Sequence, residues 1–187
     1  MNSVKREIKT GPVVRNKKWL KMISTTTYTR AAKLTVPEIL DQVFSIEKQK
    51  ELRARGVLYK DQEWVDLEFK KFEIKDQQGI KRVVTANMTS SRLLTFLKNG
   101  TTCKKCGLNG AFFALERDVY QPQAKGDKYH LNLYATLEDG TEVLMTKDHI
   151  LAKANGGKNT LDNYQTLCVA CNCEKGCKRW IITKPCA

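Results

Sequence analysis

Long apolar runs are missing from this sequence. No stretch of 18 or more apolar residues occurs, which excludes a membrane-spanning helix. The opening MNSVKREIKT also lacks the apolar core of a secretion signal. A cytoplasmic protein with no membrane partner is therefore expected. Internal repeats and low-complexity tracts are absent, so solenoid and fibrous architectures drop out. Acids are scarce at the amino end, where Glu7 is the single acid among the first 34 residues. Histidine is scarce throughout, with only His130 and His149. The penultimate Cys186 is misplaced for prenylation, which needs cysteine four from the end. Seven cysteines make an odd set, which in a reducing compartment speaks for thiolate metal ligands over a disulfide framework.

What is present is a globular balance. With 187 residues, 41% hydrophobic and 28% charged, the chain can build one ordinary domain or two small ones around a packed core. Its formal charge of +13 marks a surface that attracts polyanions and gains affinity by releasing their counterions. Nucleic acid is the expected partner, ahead of an anionic membrane. The first 34 residues hold nine basic side chains against one acid, a balance of 9 − 1 = +8. Residues 1–34 therefore read as a basic arm, solvated on its own and suited to lie along a phosphate backbone.

A helix is expected from TVPEILDQVFSIEKQKELRARG, with Thr35 as N-cap, Pro37 in the first turn and Gly56 as the stop. In EWVDLEFKKFEI the alternation of Val65, Leu67 and Phe69 predicts a strand, so residues 63–88 read as a hairpin about KDQQGI. TSSRLLTFLKNG predicts a short capped helix ending at Gly100. Residues 35–100 thus form a small helix-hairpin-helix α+β unit without a catalytic cluster, its aromatic residues assigned to a core. The last unit, 101–187, opens on CKKCG and continues with two alternating runs about EDG, KYHLNLYATLEDGTEVLMTKDHI.

Cys103 and Cys106 make one C-x2-C pair, and Cys168 and Cys171 a second. Each spacing lets a tight turn aim two sulfurs at one ion, and four thiolates satisfy tetrahedral zinc with no open position. Such a site staples the chain. The 168 − 106 = 62 positions between the pairs require a sizeable insert between the two knuckles. Cys173 and Cys177, four apart on one helix face, and Cys186 are read as packing residues.

Between the two cysteine pairs and just past the second lies DHILAKANGGKNTLDNYQTLCVACNCEKG. An Asp oxygen and an Asn carbonyl are hard ligands suited to Mg2+ or Mn2+, ions that keep positions open for water and phosphate. Histidine is the side chain best placed to take a proton from water at neutral pH. Neighbours on a strand face opposite ways, so Asp148 and His149 can serve one centre only where the strand ends or bends. Gly156 and Gly157 are read as positions free to take positive φ in the returning loop. His130, in YHLNLY, is assigned to structure or surface.

Those residues resemble the HNH endonuclease motif, in the variant with asparagine at the third position and two C-x2-C knuckles pinning a ββα-metal core. The intervals 163 − 149 = 14 and 172 − 163 = 9 fall within the family's range, and the resemblance covers residues 103–178. The resemblance implies an α+β fold: a carboxy-terminal ββα-metal nuclease domain stapled by zinc, preceded by the small α+β unit and the basic arm. In that family Asp148 would hold the catalytic ion, His149 would act as general base, Asn163 would tie back the loop and orient the histidine, and Asn172 would be the second ligand. Lys147, Lys153, Lys158, Lys175 and Arg179 surround the motif as candidate DNA contacts. The implied activity is metal-dependent hydrolysis of DNA, double-stranded first and RNA second, to 5′-phosphate and 3′-hydroxyl ends. The compact basic chain also resembles phage-encoded free-standing nucleases. The competing reading is a zinc-stapled nucleic-acid-binding module without catalysis, which has no need of the Asp-His pair.

Overall fold

The computed structural model describes residues 28–75, 78–118 and 128–177. Seven strands make one sheet: β1 (Tyr28–Thr35), β2 (Phe69–Lys75), β3 (Lys81–Asn87), β4 (Phe112–Asp118), β5 (Lys128–Thr136), β6 (Glu142–His149) and β7 (Tyr164–Cys168). β5 is the junction. It pairs with β4 over 130–134, while one end carries β3 in parallel at residues 128–129 and the other carries β6 at 134–136, so the sheet forks. One branch is the β3–β2 hairpin. The other is β6–β7, followed at once by a helix. The helices are α1 (Val36–Leu40), α2 (Ile46–Ala54), α3 (Gln62–Glu68), α4 (Ser91–Asn99) and α5 (Val169–Cys177). Among the described residues no helix is long and apolar enough to cross a membrane.

Local capping signals were faithful guides to where helices start. Thr35 closes a capping box with Glu38, Ser90 accepts the Leu93 amide at 3.3 Å, and Gly100 at φ +78 ends α4. The single helix expected from Thr35 to Gly56 is nevertheless two. After Leu40 the chain turns so that Val43 and Phe44 can be fully buried, and Ser45 then caps α2 by accepting the Lys48 amide at 3.2 Å. Burying those two side chains outweighs continuing the helix.

The strand expected from residue 63 begins only at Phe69. Trp64 explains the difference: it is 3% exposed, with its ring edge-on to Phe44 at 5.0 Å, while Leu67 is 40% exposed. The alternation across Val65, Leu67 and Phe69 therefore does not describe a buried face. A helical turn from Asp61 places Trp64 inward instead, with the Val65 amide bonded to the Asp61 carbonyl at 3.0 Å.

Residues 28–34, assigned from sequence to a basic arm, lie in β1, which pairs antiparallel with β4. Residues 1–27 lie outside the described residues. β1 and β3, which precede residue 100, both enter the sheet of the carboxy-terminal half. Phe96 of α4 packs on Phe113 of β4 at 6.2 Å between ring centres, within a continuous core that includes Ile39, Leu93, Leu115, Leu133 and Met145.

Arg30 shows why β1 belongs in the fold. Its guanidinium bonds Glu116 at 3.0 Å and Glu142 at 2.7 Å and lies over the Tyr134 ring at 4.9 Å. Glu116, 1% exposed, also accepts from Asn132 at 2.8 Å and from the Tyr134 hydroxyl at 3.0 Å. Burial, then the nearby Glu116 carboxylate, pushes the Tyr134 phenol above its usual range and keeps it a donor. Removing Glu116 leaves Arg30 paired with Glu142 but takes the acceptor from the buried Asn132 amide and Tyr134 hydroxyl, at about 1–3 kcal/mol for each donor left unbonded. Glu116→Ala is therefore expected to destabilise the protein by about 2–5 kcal/mol, lowering the melting temperature by roughly 10 °C. Thermal unfolding followed by circular dichroism checks this, and an unchanged melting temperature would contradict it.

Candidate metal centre and active site

Two knuckles meet at the base of β7. In the first, the Cys103 amide bonds the Leu108 carbonyl at 2.8 Å and the Gly107 amide bonds the Cys103 carbonyl at 3.0 Å, with Gly107 at φ +76. The second is the junction of β7 and α5, where the Cys171 amide points at the Cys168 sulfur at 3.5 Å. The Lys104 amide reaches the Thr166 carbonyl at 2.9 Å, tying one knuckle to the other.

Together these contacts bring the sulfurs of Cys103, Cys106, Cys168 and Cys171 within 4.8 Å of one another. The Cys106 to Cys168 distance is 3.8 Å, far beyond a disulfide bond. It is the edge of a tetrahedron whose centre lies about 2.3 Å from each sulfur, the zinc–thiolate length. Protonation follows the same logic. A hydrogen bond from Cys168 holds the Cys103 thiol down to about 4, while that same contact and burial push Cys168 up, and burial pushes Cys171 up to about 12. A divalent cation held among the four sulfurs would favour their ionised form.

Beside this clasp, β6 and β7 run antiparallel with Asp148 opposite Gln165 and His149 opposite Tyr164. Strand alternation sends Asp148 and Thr146 to the face covered by α5, and Lys147 and His149 to the other. On the α5 face the Asn172 amide nitrogen donates to the Thr146 hydroxyl at 3.0 Å. The Asp148 carboxylate, its side chain 12% exposed, accepts from Gln165 at 2.8 Å and from the Lys175 ammonium at 2.5 Å. Lys175 also donates to the carbonyls of His149 and Ile150, the latter at 3.3 Å. Three oxygens thus converge on one positive centre, the Lys175 ammonium. All are oxygen donors, and the Asn172 amide stands on the same face of the strand, a set suited to a hard divalent ion.

His149 closes β6, and its ring stands edge-on to Tyr164 at 4.8 Å between centres. Its Nε2 lies 2.8 Å from Asn159 Oδ1. Because that oxygen can only accept, Nε2 donates, and in the neutral ring Nδ1 carries the lone pair. The resemblance gave the orienting role to Asn163, but the direct hydrogen bond to the imidazole comes from Asn159. Asn163 binds the loop backbone: its Oδ1 accepts the Leu151 amide at 2.8 Å, and its Nδ2 donates to the carbonyls of Leu151 at 3.0 Å and Lys158 at 2.9 Å.

The two loop glycines differ in their reasons. Gly156 holds φ +85, as the sequence reading expected, but Gly157 does not need positive φ. It needs space, since a Cβ there would overlap the Leu151 carbonyl and press on Asn163 Nδ2. Gly156→Ala is expected to cost about 1–2 kcal/mol. Gly157→Ala should lower the melting temperature further and impair cleavage, because the backbone must move and carries the Asn163 bonds with it. Equal melting temperatures for the two variants would contradict this account.

Of the basic residues proposed to contact DNA, Lys153 and Lys158 are exposed. Lys147 and Lys175 are held within the protein: Lys147 donates to Ser91 at 2.8 Å and lies 4.1 Å from the Tyr164 ring centre. Arg179 and Cys186 lie outside the described residues. Cys173 is half-buried on α5, and His130 is exposed on β5. Sequence reasoning passed over Thr146, Asn159, Tyr164 and Gln165. Strand register alone could have found Gln165, directly across from Asp148.

The site is thus a β-ribbon followed directly by a helix, with an acid and a histidine closing its first strand and a four-cysteine clasp at its far end. Residues 138–179 match the family model described as HNH endonuclease. That segment is similar to the HNH endonuclease family, a likeness that suggests nuclease activity. Neither the curated proteins nor the solved structures give a match.

Proposed function

We propose that the protein is a divalent-metal-dependent DNA endonuclease that leaves 5′-phosphate and 3′-hydroxyl ends, with a zinc held by Cys103, Cys106, Cys168 and Cys171 as the staple of its frame. The observation that carries this reading is the docking of a cation, Lys175, on the Asp148 carboxylate and two strand-end carbonyls. Mg2+ or Mn2+ held by Asp148 and Asn172 would supply positive charge against the developing phosphorane and the departing O3′. His149 takes a proton at Nδ1 from water, whose oxygen attacks phosphorus as the bond to O3′ breaks; the departing O3′ takes a proton from solvent to become the 3′-hydroxyl, and the imidazolium returns its proton to solvent. Asn159 and Tyr164 hold the imidazole in the tautomer and orientation this requires. Gln165 fixes the Asp148 carboxylate, and Thr146 fixes the Asn172 amide.

The test is incubation with supercoiled plasmid in Mg2+, in Mn2+ and in chelator, with the ends mapped by sequencing. Nicked or linear product that requires the divalent ion is expected. Binding without cleavage under every condition would instead identify a non-catalytic, zinc-stapled binding module. Cleavage of RNA in preference to DNA would reassign the substrate and keep the site.

A further inference from the structure

We propose that the outward face of the β2–β3 hairpin is a docking surface for duplex DNA, contacting phosphates beside the cut; this rests on the nuclease reading above. The hairpin register is Lys71↔Thr85, Glu73↔Val83 and Lys75↔Lys81, so these six residues share one face. The opposite face carries Ile74, Val84 and Ala86, all buried, which fixes the other side toward solvent. Lys71, Glu73, Lys75, Lys81 and Val83 are all exposed, Val83 at 60%.

Two features of that face oppose stability. Lysines directly across from one another repel, and such a pair is destabilising in an antiparallel ladder. Here Lys75 and Lys81 stand opposite at the last register position before the turn. An exposed β-branched residue between charged neighbours adds little to the core. Protection of an edge strand accounts for lysines on β2, the terminal strand of the branch. Lys81 lies on β3 outside its pairing with β5 at Thr85 and Ala86, so it too stands at an open edge among the described residues. Yet edge protection does not require like charges face to face, since an acid at either position would serve without the repulsion. Duplex DNA accounts for both: a two-stranded ribbon fits the major groove, and lysines on its outer face neutralise phosphate. Apolar contact from Val83 suits a thymine methyl.

The hairpin is also joined to the active site. Asn87, the end of β3, accepts from the Thr89 amide at 2.7 Å and shapes the turn into α4, whose first residue, Ser91, receives the Lys147 ammonium one residue before Asp148. From base to tip the hairpin spans six residues, about 20 Å at 3.3 Å per residue. That length matches more than half a turn of duplex.

The test measures binding of a fluorescent duplex by anisotropy in chelator across a salt series, for wild type, K71Q/K75Q/K81Q and E73Q. The triple variant is expected to bind about tenfold or more weaker, with a salt slope shallower by about 2–3, as three lost phosphate contacts require. E73Q should bind tighter. K75Q alone should melt no lower than wild type, since it removes a repulsion, whereas a structural role for Lys75 would lower it. Equal affinity and slope for wild type and the triple variant, in protein that cleaves DNA, overturns the hairpin proposal alone. A loss confined to RNA overturns the duplex assignment. Wild type that neither binds nor cuts DNA brings down the nuclease reading and this inference with it.

Discussion

His149→Ala is expected to lower the single-turnover rate of DNA cleavage by about 10²- to 10⁴-fold, the range for loss of a general base, while leaving DNA affinity and folding nearly unchanged. The separation follows from strand alternation. His149 faces away from α5 and touches Asn159 and Tyr164, whereas Asp148, Gln165, Asn172 and Lys175 meet on the other face. Truncating the imidazole therefore removes no ligand and no member of the core. Asn159→Ala should fall in the same direction by a smaller factor, because the base remains while its orientation is lost. Duplex binding in chelator and thermal melting are the controls. Near-normal turnover by His149→Ala would mean that another group activates the water, and the assignment of Nδ1 would fall.

Cys103→Ser or Cys168→Ser is expected to do more, abolishing zinc binding, cleavage and the ordered carboxy-terminal segment together. Structural zinc contributes an apparent free energy of about 10–16 kcal/mol in small metal-dependent folds, comparable to the whole stability of an ordinary domain at about 5–15 kcal/mol. The effect spreads because the clasp is wired to the site. Cys168 ends β7, Cys171 lies in the first turn of α5, and Asn172 is the next residue. Lys104 and Thr166 join the knuckles, and the Thr166 hydroxyl reaches the Gly100 carbonyl at 2.7 Å. Elemental analysis of wild type should find about one tightly held zinc per chain, by the four-ligand rule. Wild type purified without chelator that is folded yet free of zinc would refute the staple.

What could be read from the chain was what its residues settle locally. The C-x2-C turns, the Ser90 cap, the Gly100 stop and the β5–β6 hairpin about EDG each depend on a few neighbouring residues. The break at residues 41–45 does not, because it exists to bury Val43 and Phe44 against partners far along the chain. The same holds for α3, where Trp64 meets Phe44. Basic composition hid β1, whose pairing with β4 and whose Arg30 contact to Glu116 become visible only in three dimensions. Within the candidate site, motif spacing located Asp148, His149, Asn163 and Asn172. It was silent on Asn159 and gave Lys175 to DNA, because their parts depend on how a loop folds back and how a helix end reaches a strand.

With zinc in place, the clasp turns a linear chain into a ring. The path from Cys106 to Cys168 is closed by the metal, and Asp148, His149, Asn159 and Asn163 all lie on that circuit, while Asn172 and Lys175 stand within seven residues of where it fastens. A single break in the backbone anywhere on the circuit would leave the two pieces tethered through the metal. Removing the metal would release that tether. Closing so long a loop also trims the freedom of the unfolded chain, a gain that grows only slowly with length. Chelation should thus let a nicked molecule come apart into two fragments once denaturant has loosened the sheet and core that also join them, at a concentration where the metal-bound form stays whole.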